Sequence, residues 1–432
     1  MRGLRRLCAV AMVLAVGLTS TGCAVLLPPS EGGAGLITTW AISGGGEEEL
    51  MPSQGDRFQD RTGRRMQTQF FQNDPYKNKL WVSMGSGTPP DAFFGWGGGA
   101  LEAFIEAGQV ADLAPAMREH PEWRQNFLPS VMSPVDIGGG TYGIPVGGIQ
   151  PVLLYFNKDV YAETGLRPPR SWNELLDQVP RLQEAGYLPI ALGGADSWTY
   201  LMWEEAIVDR VAGPEAFKAV LDGKPGAWLN PDIIKANTML QDLVRRGAFG
   251  NAFPSTSAEL GQQRTLVASG RAAMMVHLGS GYSDLLGDDE KWVREGHLGW
   301  APFPAVEGGK GDPANLVGNP TTFMSVTAGP EAQEAVDFLR QDLSSDAFTR
   351  GRVARGDVPP VTGIEDELRA SEDADYMTFV YDLAKNAPHF QQSWDQALPP
   401  GPAQNVLINL QKLFLDQISP EEFSELMEES TR

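Results

Sequence analysis

The sequence predicts an α/β fold arranged in two or more lobes. Two observations carry this. The chain has 432 residues, more than one domain usually holds. Along it, β-branched and apolar runs alternate with segments opened by helix-capping residues, the pattern of a parallel or mixed sheet flanked by helices. The composition, 42% hydrophobic and 21% charged, is that of an ordinary soluble globular protein. A chain of this length buries a large core without disulfides.

Taken in order, Leu36–Ile42 reads as a strand, rich in β-branched and apolar residues. Ser43-Gly44-Gly45-Gly46 turns sharply, and a helix begins at Glu47, whose acidic first turn suits the helix dipole. A second strand is expected near 79–82. A third, 92–94, ends in Gly95-Trp96-Gly97-Gly98-Gly99, and a helix then runs through Leu101, Phe104 and Ile105 to Gly108. Ser171 with Glu174 three residues on is a capping box. It opens a helix whose apolar face is Leu175, Leu176, Val179 and Leu182, with a kink expected at Pro180. Strand 189–192 follows, then a helix over 259–269 stopped by Gly270 and a buried strand over 272–276. Ser419-Pro420-Glu421-Glu422 opens the last helix.

The first residues have the layout of a secretory signal: Arg2, Arg5 and Arg6, then an apolar run over 7–18. The run is about twelve residues, short for a membrane-spanning helix. The segment Thr21-Gly22-Cys23 resembles the cleavage region of bacterial lipoprotein signals, with Ser20 standing where that pattern has Leu. The resemblance implies a signal peptide over 1–22, a lipid on Cys23, a tether over 23–35 and a place on the outer face of the cytoplasmic membrane. Cysteine usage agrees. The chain has two Cys, and Cys8 lies in the leader. The mature chain would keep one, which cannot form an internal disulfide, whereas a lipid gives it a chemical purpose. Without the three leader arginines, the 34 basic and 55 acidic residues leave a balance of about −24. That charge disfavours nucleic acid and anionic headgroups as partners.

Several chemistries lack their motifs. There is no G-x-x-x-x-G-K-[ST] loop, so the chain is not the ATPase of a transporter, and no G-x-S-x-G elbow. His120, His277, His297 and His389 are scattered, with neither H-E-x-x-H nor Cys partners, so no metal site and no cofactor are expected. Carboxylate pairs would suit a glycosidase, but 55 acids produce close pairs by chance.

A series of blocks resembles the extracellular solute-binding proteins of ABC importers, the sugar-binding branch. They are Tyr76-Lys77-Asn78-Lys79-Leu80 with Gly85-Ser86-Gly87-Thr88-Pro89-Pro90-Asp91-Ala92-Phe93-Phe94; Gly108-Gln109-Val110-Ala111-Asp112-Leu113; Tyr142-Gly143-Ile144-Pro145; Leu154-Tyr155-Phe156-Asn157-Lys158-Asp159; the stretch from Gly165 to Leu175; and Gly270-Arg271-Ala272-Ala273-Met274, continued by Pro302-Phe303-Pro304 and Glu334 to Leu339. The resemblance implies a periplasmic-binding-protein-like fold of type II. One lobe would comprise 36–148 plus 315–363, the other 149–305 plus 364–432, joined by a hinge of crossing segments. It implies a carbohydrate held between the lobes, no catalysis, a monomer, and an ABC transporter permease as partner.

Sugars present hydroxyl edges and flat C–H faces, so a site for them needs aromatic planes and hydrogen-bonding side chains. In α/β folds such residues sit at strand ends. Trp96, in the glycine-rich turn, is a stacking candidate, and Asp196 with Trp198 follow strand 189–192. By resemblance, Ser43, Glu47, Gln150, Tyr282, Asn319 and Trp394 join them, while Trp40, Trp81 and Trp172 read as core. Several spaced aromatics point to a disaccharide or short oligosaccharide. Likeness to the family favours a β-linked one such as xylobiose or a cello- or chito-oligosaccharide. Two other readings stand beside this: a secreted glycoside hydrolase, and a receptor for a peptide or polyamine.

Overall fold

A computed structural model describes residues 36–44 and 47–431. The expected signal, Cys23 and the tether lie outside the described residues.

Eleven strands build two sheets: β1 Leu36–Ile42, β2 Arg65–Phe71, β3 Ala92–Gly95, β4 Ile144–Pro145, β5 Gln150–Asn157, β6 Leu188–Ala191, β7 Ala272–Leu278, β8 Leu298–Pro302, β9 Leu316–Asn319, β10 Phe323–Val326 and β11 Phe390–Gln392. The first sheet has the order β2-β1-β3-β10-β4. Its β1 runs parallel to both β2 (Ile37 opposite Met66) and β3 (Thr39 opposite Ala92). The second has the order β11-β9-β5-β7-β6, with β8 also pairing β5. Helices cover both sheets, giving two α/β bodies.

Side-chain alternation explains how each sheet is buried. In β1, Ile37, Thr39 and Ala41 are buried while Leu36, Thr38, Trp40 and Ile42 are half-buried. β5 is covered on both faces: Leu153 and Tyr155 belong to one apolar cluster, Val152 and Leu154 to the other. Such a strand reads as a continuous apolar run, which Leu153-Leu154-Tyr155-Phe156 is.

The helices α1 Glu47–Thr62, α2 Asn73–Ser86, α3 Gly98–Glu106, α5 Trp198–Ala212 and α6 Pro400–Phe414 border the gap between the bodies, and α4 Trp172–Glu184 packs against β6 of the second sheet. The strand expected at 79–82 is part of α2. The second strand is instead Arg65–Phe71, whose Arg65, Gln67 and Gln69 are exposed on an edge paired on one side only. Polar edge residues hide a strand from an apolar-run search, whereas Leu80-Trp81-Val82 imitates one. α4 continues through Pro180. Its Ser171 cap accepts from the Glu174 amide at 3.3 Å, and Glu174 accepts from the Arg170 amide at 2.7 Å. The helix expected over 259–269 is shorter, Gln262–Ala268.

Before it returns to the second sheet at Phe390, the chain changes body between Pro145 and Gln150 and again between Asn319 and Phe323. These two crossings are tied together. The Val146 amide donates to the Thr322 carbonyl at 2.9 Å, and Thr321 Oγ1 donates to the Gly147 carbonyl at 3.0 Å. The segment from 315, expected in the first lobe, first gives β9 to the second sheet, where Asn319 pairs with Gln150 and Leu316 with Phe390.

Candidate functional site

A cavity of about 660 Å³ lies between the two bodies. Its walls come from the C-terminal ends of parallel strands, where α/β sheets place ligands. From the first body, Ser43 and Gly44 follow β1 and Trp96 follows β3; from the second, Trp198 follows β6 and His277 with Leu278 end β7. The crossings contribute Gln150, Asn319 and Thr322.

Six of the nine sugar-contact residues expected from the sequence line this cavity: Ser43, Glu47, Trp96, Gln150, Trp198 and Asn319. Each body thus brings one half-buried tryptophan to the gap. The Trp198 Nε1 and the Asn319 Oδ1 are buried yet have no hydrogen-bond partner. Buried polar groups are nearly always paired, so a donor and an acceptor stand ready for a ligand. Trp198 is held edge-on by the His277 ring, 5.5 Å away. Burial, with Arg264 adding to it, pushes the His277 imidazole down to about 4, so it is neutral near pH 7.

The other three do not face the gap. Asp196 accepts through Oδ2 from Ser257 Oγ (2.8 Å) and from the amides of Ala258 (2.7 Å) and Glu259 (3.0 Å). It therefore shapes the loop that carries Ala258 and Glu259 into the wall. Tyr282 stacks on Tyr376 with ring centroids 4.0 Å apart and donates to Asp373 at 2.7 Å. Trp394 is 1% exposed and stacked on Phe217 at 4.3 Å. Its neighbours Ser393 and Asp395 reach the cavity instead. Sequence position near a turn identified the segment in each case, but not which side chain turns inward.

Apart from Glu47, sequence reasoning passed over the charged residues of the wall. Arg352, only 4% exposed at its side chain, grips Glu47 with both guanidinium nitrogens and meets Asp357 at 3.2 Å. Arg264 pairs with Asp288 at 2.9 Å and faces Asp284 at 3.9 Å. Lys77, on the first body, meets Asp395, on the second, at 3.4 Å, and its ammonium lies 5.0 Å from the Trp96 ring centre. Arg355 faces Glu49 at 3.9 Å. Burial raises the Asp284 carboxyl to about 6; Arg264 works against this, while Asp357 and Asp288 add to it. Lys77, Arg264, Arg352 and Arg355, the lysine and arginines of the wall, thus each face a carboxylate. The one available signal was Lys77 beside the buried Tyr76 in a family block.

The bodies also touch beside the cavity. Gln392 Nε2 donates to the Trp96 carbonyl at 2.7 Å, and Asn73 Nδ2 to Glu259 at 3.3 Å. A Cβ on Gly98 would lie 2.2 Å from the Gln396 carbonyl oxygen, and one on Gly99 2.4 Å from that of Leu398. The glycines let the start of α3 dock directly on backbone of the second body. Among the described residues no group of three His, Cys, Asp or Glu is placed to hold a metal ion, and no helix is long and apolar enough to cross a membrane.

Two sheet-and-helix bodies around a ligand-sized gap define a solute-binding protein by architecture. The chain belongs to the family of bacterial extracellular solute-binding proteins, whose model matches residues 44–342. Among solved structures, one from work on xylan utilization by the thermophilic bacterium Caldanaerobius polysaccharolyticus is 25% identical. It has a TM-score of 0.83 and covers 91% of this chain and 99% of its own. A chitin oligosaccharide binding protein (19% identical, TM-score 0.77, covering 89% and 94%) and maltose-bound MalE3 of T. maritima (19%, TM-score 0.73, covering 92% and 98%) share the fold. Curated relatives include an ABC transporter extracellular-binding protein of Pyrococcus horikoshii, 24% identical over 53% of this chain and 50% of its own. Another is the sn-glycerol-3-phosphate-binding periplasmic protein UgpB of Yersinia enterocolitica, 26% identical over 40% and 42%. The chain spans about half the length, or less, of the curated relatives it matches. The family is extracellular, so this is an exported solute-binding protein.

Proposed function

We propose that this protein captures a neutral sugar, a disaccharide or short oligosaccharide, in the gap between its two bodies and delivers it to the permease of an ABC importer. The observation that carries the reading is Trp96 and Trp198, one from each body, lining one cavity whose lysine and arginines each face a carboxylate. Indole planes suit the C–H faces of sugar rings. Lys77, Arg264, Arg352 and Arg355 each already face a carboxylate, which disfavours an anionic solute such as a glycerol phosphate. The unpaired Trp198 Nε1 and Asn319 Oδ1 match a hydroxyl, which both donates and accepts.

The ligand we favour is β-linked, such as xylobiose or a cello- or chito-oligosaccharide, a reading supported by likeness to the structure from the xylan work and to the chitin oligosaccharide binding protein. The bodies act as lobes hinged at the crossings after Pro145 and after Asn319. Sugar contacts made by both lobes at once exist only in the closed form and shift the population to it. The protein binds without turning its ligand over. It works as a monomer, anchored outside the cytoplasmic membrane by a lipid on Cys23. Calorimetry against a panel of neutral oligosaccharides, amines and peptides tests the reading, with product analysis after long incubation. Release of new reducing ends would support a hydrolase instead.

A further inference from the structure

A second cavity, of about 470 Å³, adjoins the first. It lies between α2 and α3 of the first body and the segment from Asp395 through the first turns of α6 in the second. Lys77, Trp96, Asp395 and Gln396 line both cavities and form the partition between them. The two differ in chemistry. The first is walled by the ion pairs described above. The second is walled by Trp81, Phe93, Leu101, Phe104 and Leu407, and its charged residues are the Lys77–Asp395 pair of the partition. Trp81, expected in the core, is 38% exposed, with its ring 4.4 Å from that of Phe104. An aromatic floor therefore lies open to this space. A volume of this size, mostly apolar with a few polar groups, has the character of a small-molecule site.

We propose that the second cavity holds the aglycone of a glycoside: an aromatic group attached to the sugar, seated against Trp81 and Phe104 while the sugar occupies the first cavity. The inference rests on the sugar reading of the main site. Continuity argues for this occupant, since one partition of four side chains separates a polyhydroxyl site from an apolar one. Lys77 is the movable part of that partition. Its side chain is partly exposed, and its contact with Asp395, at 3.4 Å, is long for an ion pair. A group passing from one cavity to the other displaces this pair and gains an apolar seat beyond it. The ligand class that fits both cavities is a neutral aryl glycoside, amphipathic along its length.

The test compares phenyl with methyl β-xylobioside by calorimetry on the intact protein, with the corresponding cellobioside and chitobioside pairs run alongside. The phenyl member of the pair that binds should bind about tenfold more tightly, as burial of one phenyl ring requires. Trp81→Ala should cut that ratio to near one without changing the methyl glycoside's affinity. Gln404→Trp, which fills the cavity from an exposed position on α6, should do the same. Equal affinities within a pair for the wild type would overturn the inference and leave the sugar reading standing. A ratio unchanged in both variants would overturn it too. Binding of no member of any pair would overturn the sugar reading and this inference with it.

Discussion

Gln392 Nε2 of the second body donates a 2.7 Å hydrogen bond to the backbone carbonyl of Trp96 in the first. The bond anchors the turn that carries the Trp96 indole to the opposite body, so the setting of that indole and the contact between bodies are one feature. Gln392→Ala should therefore weaken sugar binding about three- to tenfold, the range of one lost hydrogen bond, with little change in unfolding midpoint. Calorimetry and a denaturant titration of the same variant separate the two effects. An unfolding midpoint that falls while affinity holds would contradict the assignment.

The glycines beside Trp96 set how closely the bodies approach. Gly99 lies in the first turn of α3, where Ala is the better helix former, so Gly99→Ala should not harm the helix itself. Its methyl would lie 2.4 Å from the Leu398 carbonyl oxygen, which forces the bodies apart. Small-angle scattering of the variant at saturating sugar should show a larger radius of gyration than wild type, and affinity should fall about tenfold. Identical scattering curves would show that this contact does not limit approach.

Trp394 and Trp198 should separate stability from binding. Trp394 is stacked inside the second body's core, so Trp394→Ala should cost about 3–5 kcal/mol of stability. Trp198 is half-buried at the gap, so Trp198→Ala should cost far less stability and most of the sugar affinity. Urea unfolding of both variants checks this; similar losses would place Trp198 with the core.

Glu204, in α5, is fully buried beside Asn237, and burial raises its carboxyl from 4.5 to about 8. Between those values the native state keeps a proton that the unfolded chain has released, so its contribution to stability falls as pH rises. The slope is at most about 1.4 kcal/mol per pH unit and flattens above pH 8. Glu204→Gln removes this dependence, so the variant's stability relative to wild type should be greater at pH 9 than at pH 5. Chemical denaturation at both values gives the comparison, and parallel stability–pH curves would contradict it.

Anchoring has its own test. Palmitate labelling of cells should tag the wild type and be lost in Cys23→Ala. An unlabelled, freely secreted wild type would remove the lipid from the proposal.

Much of the fold was legible in the sequence because local and global signals agreed. The buried strand Ala272–Leu278 opens with the continuous apolar run 272–276, and capped helices such as Trp172–Glu184 and Pro420–Ser430 start at Ser171 and Ser419. The edge strand Arg65–Phe71 was hidden because its pairing is backbone-only on one side and its exposed positions are polar. The site was legible in part. Turns after strands gave Trp96 and Trp198, since strand ends place loops at the gap, while Ser43 came from the family resemblance. Composition could not tell which of Trp394 and Asp395 turns inward. It was also silent on the ion pairs of Arg352, whose partner Glu47 is 305 positions away, and of Arg264, whose partner Asp288 is 24 away.

The most direct measurement is a calorimetric titration of the wild type and of Trp96→Ala with xylobiose, cellobiose and chitobiose, with sn-glycerol 3-phosphate as the anionic comparison. A neutral sugar trap binds at least one of the disaccharides, loses about 10- to 100-fold in affinity on removal of the indole, and gives no heat with the phosphate. Binding of the phosphate, or a disaccharide affinity untouched by Trp96→Ala, would contradict it.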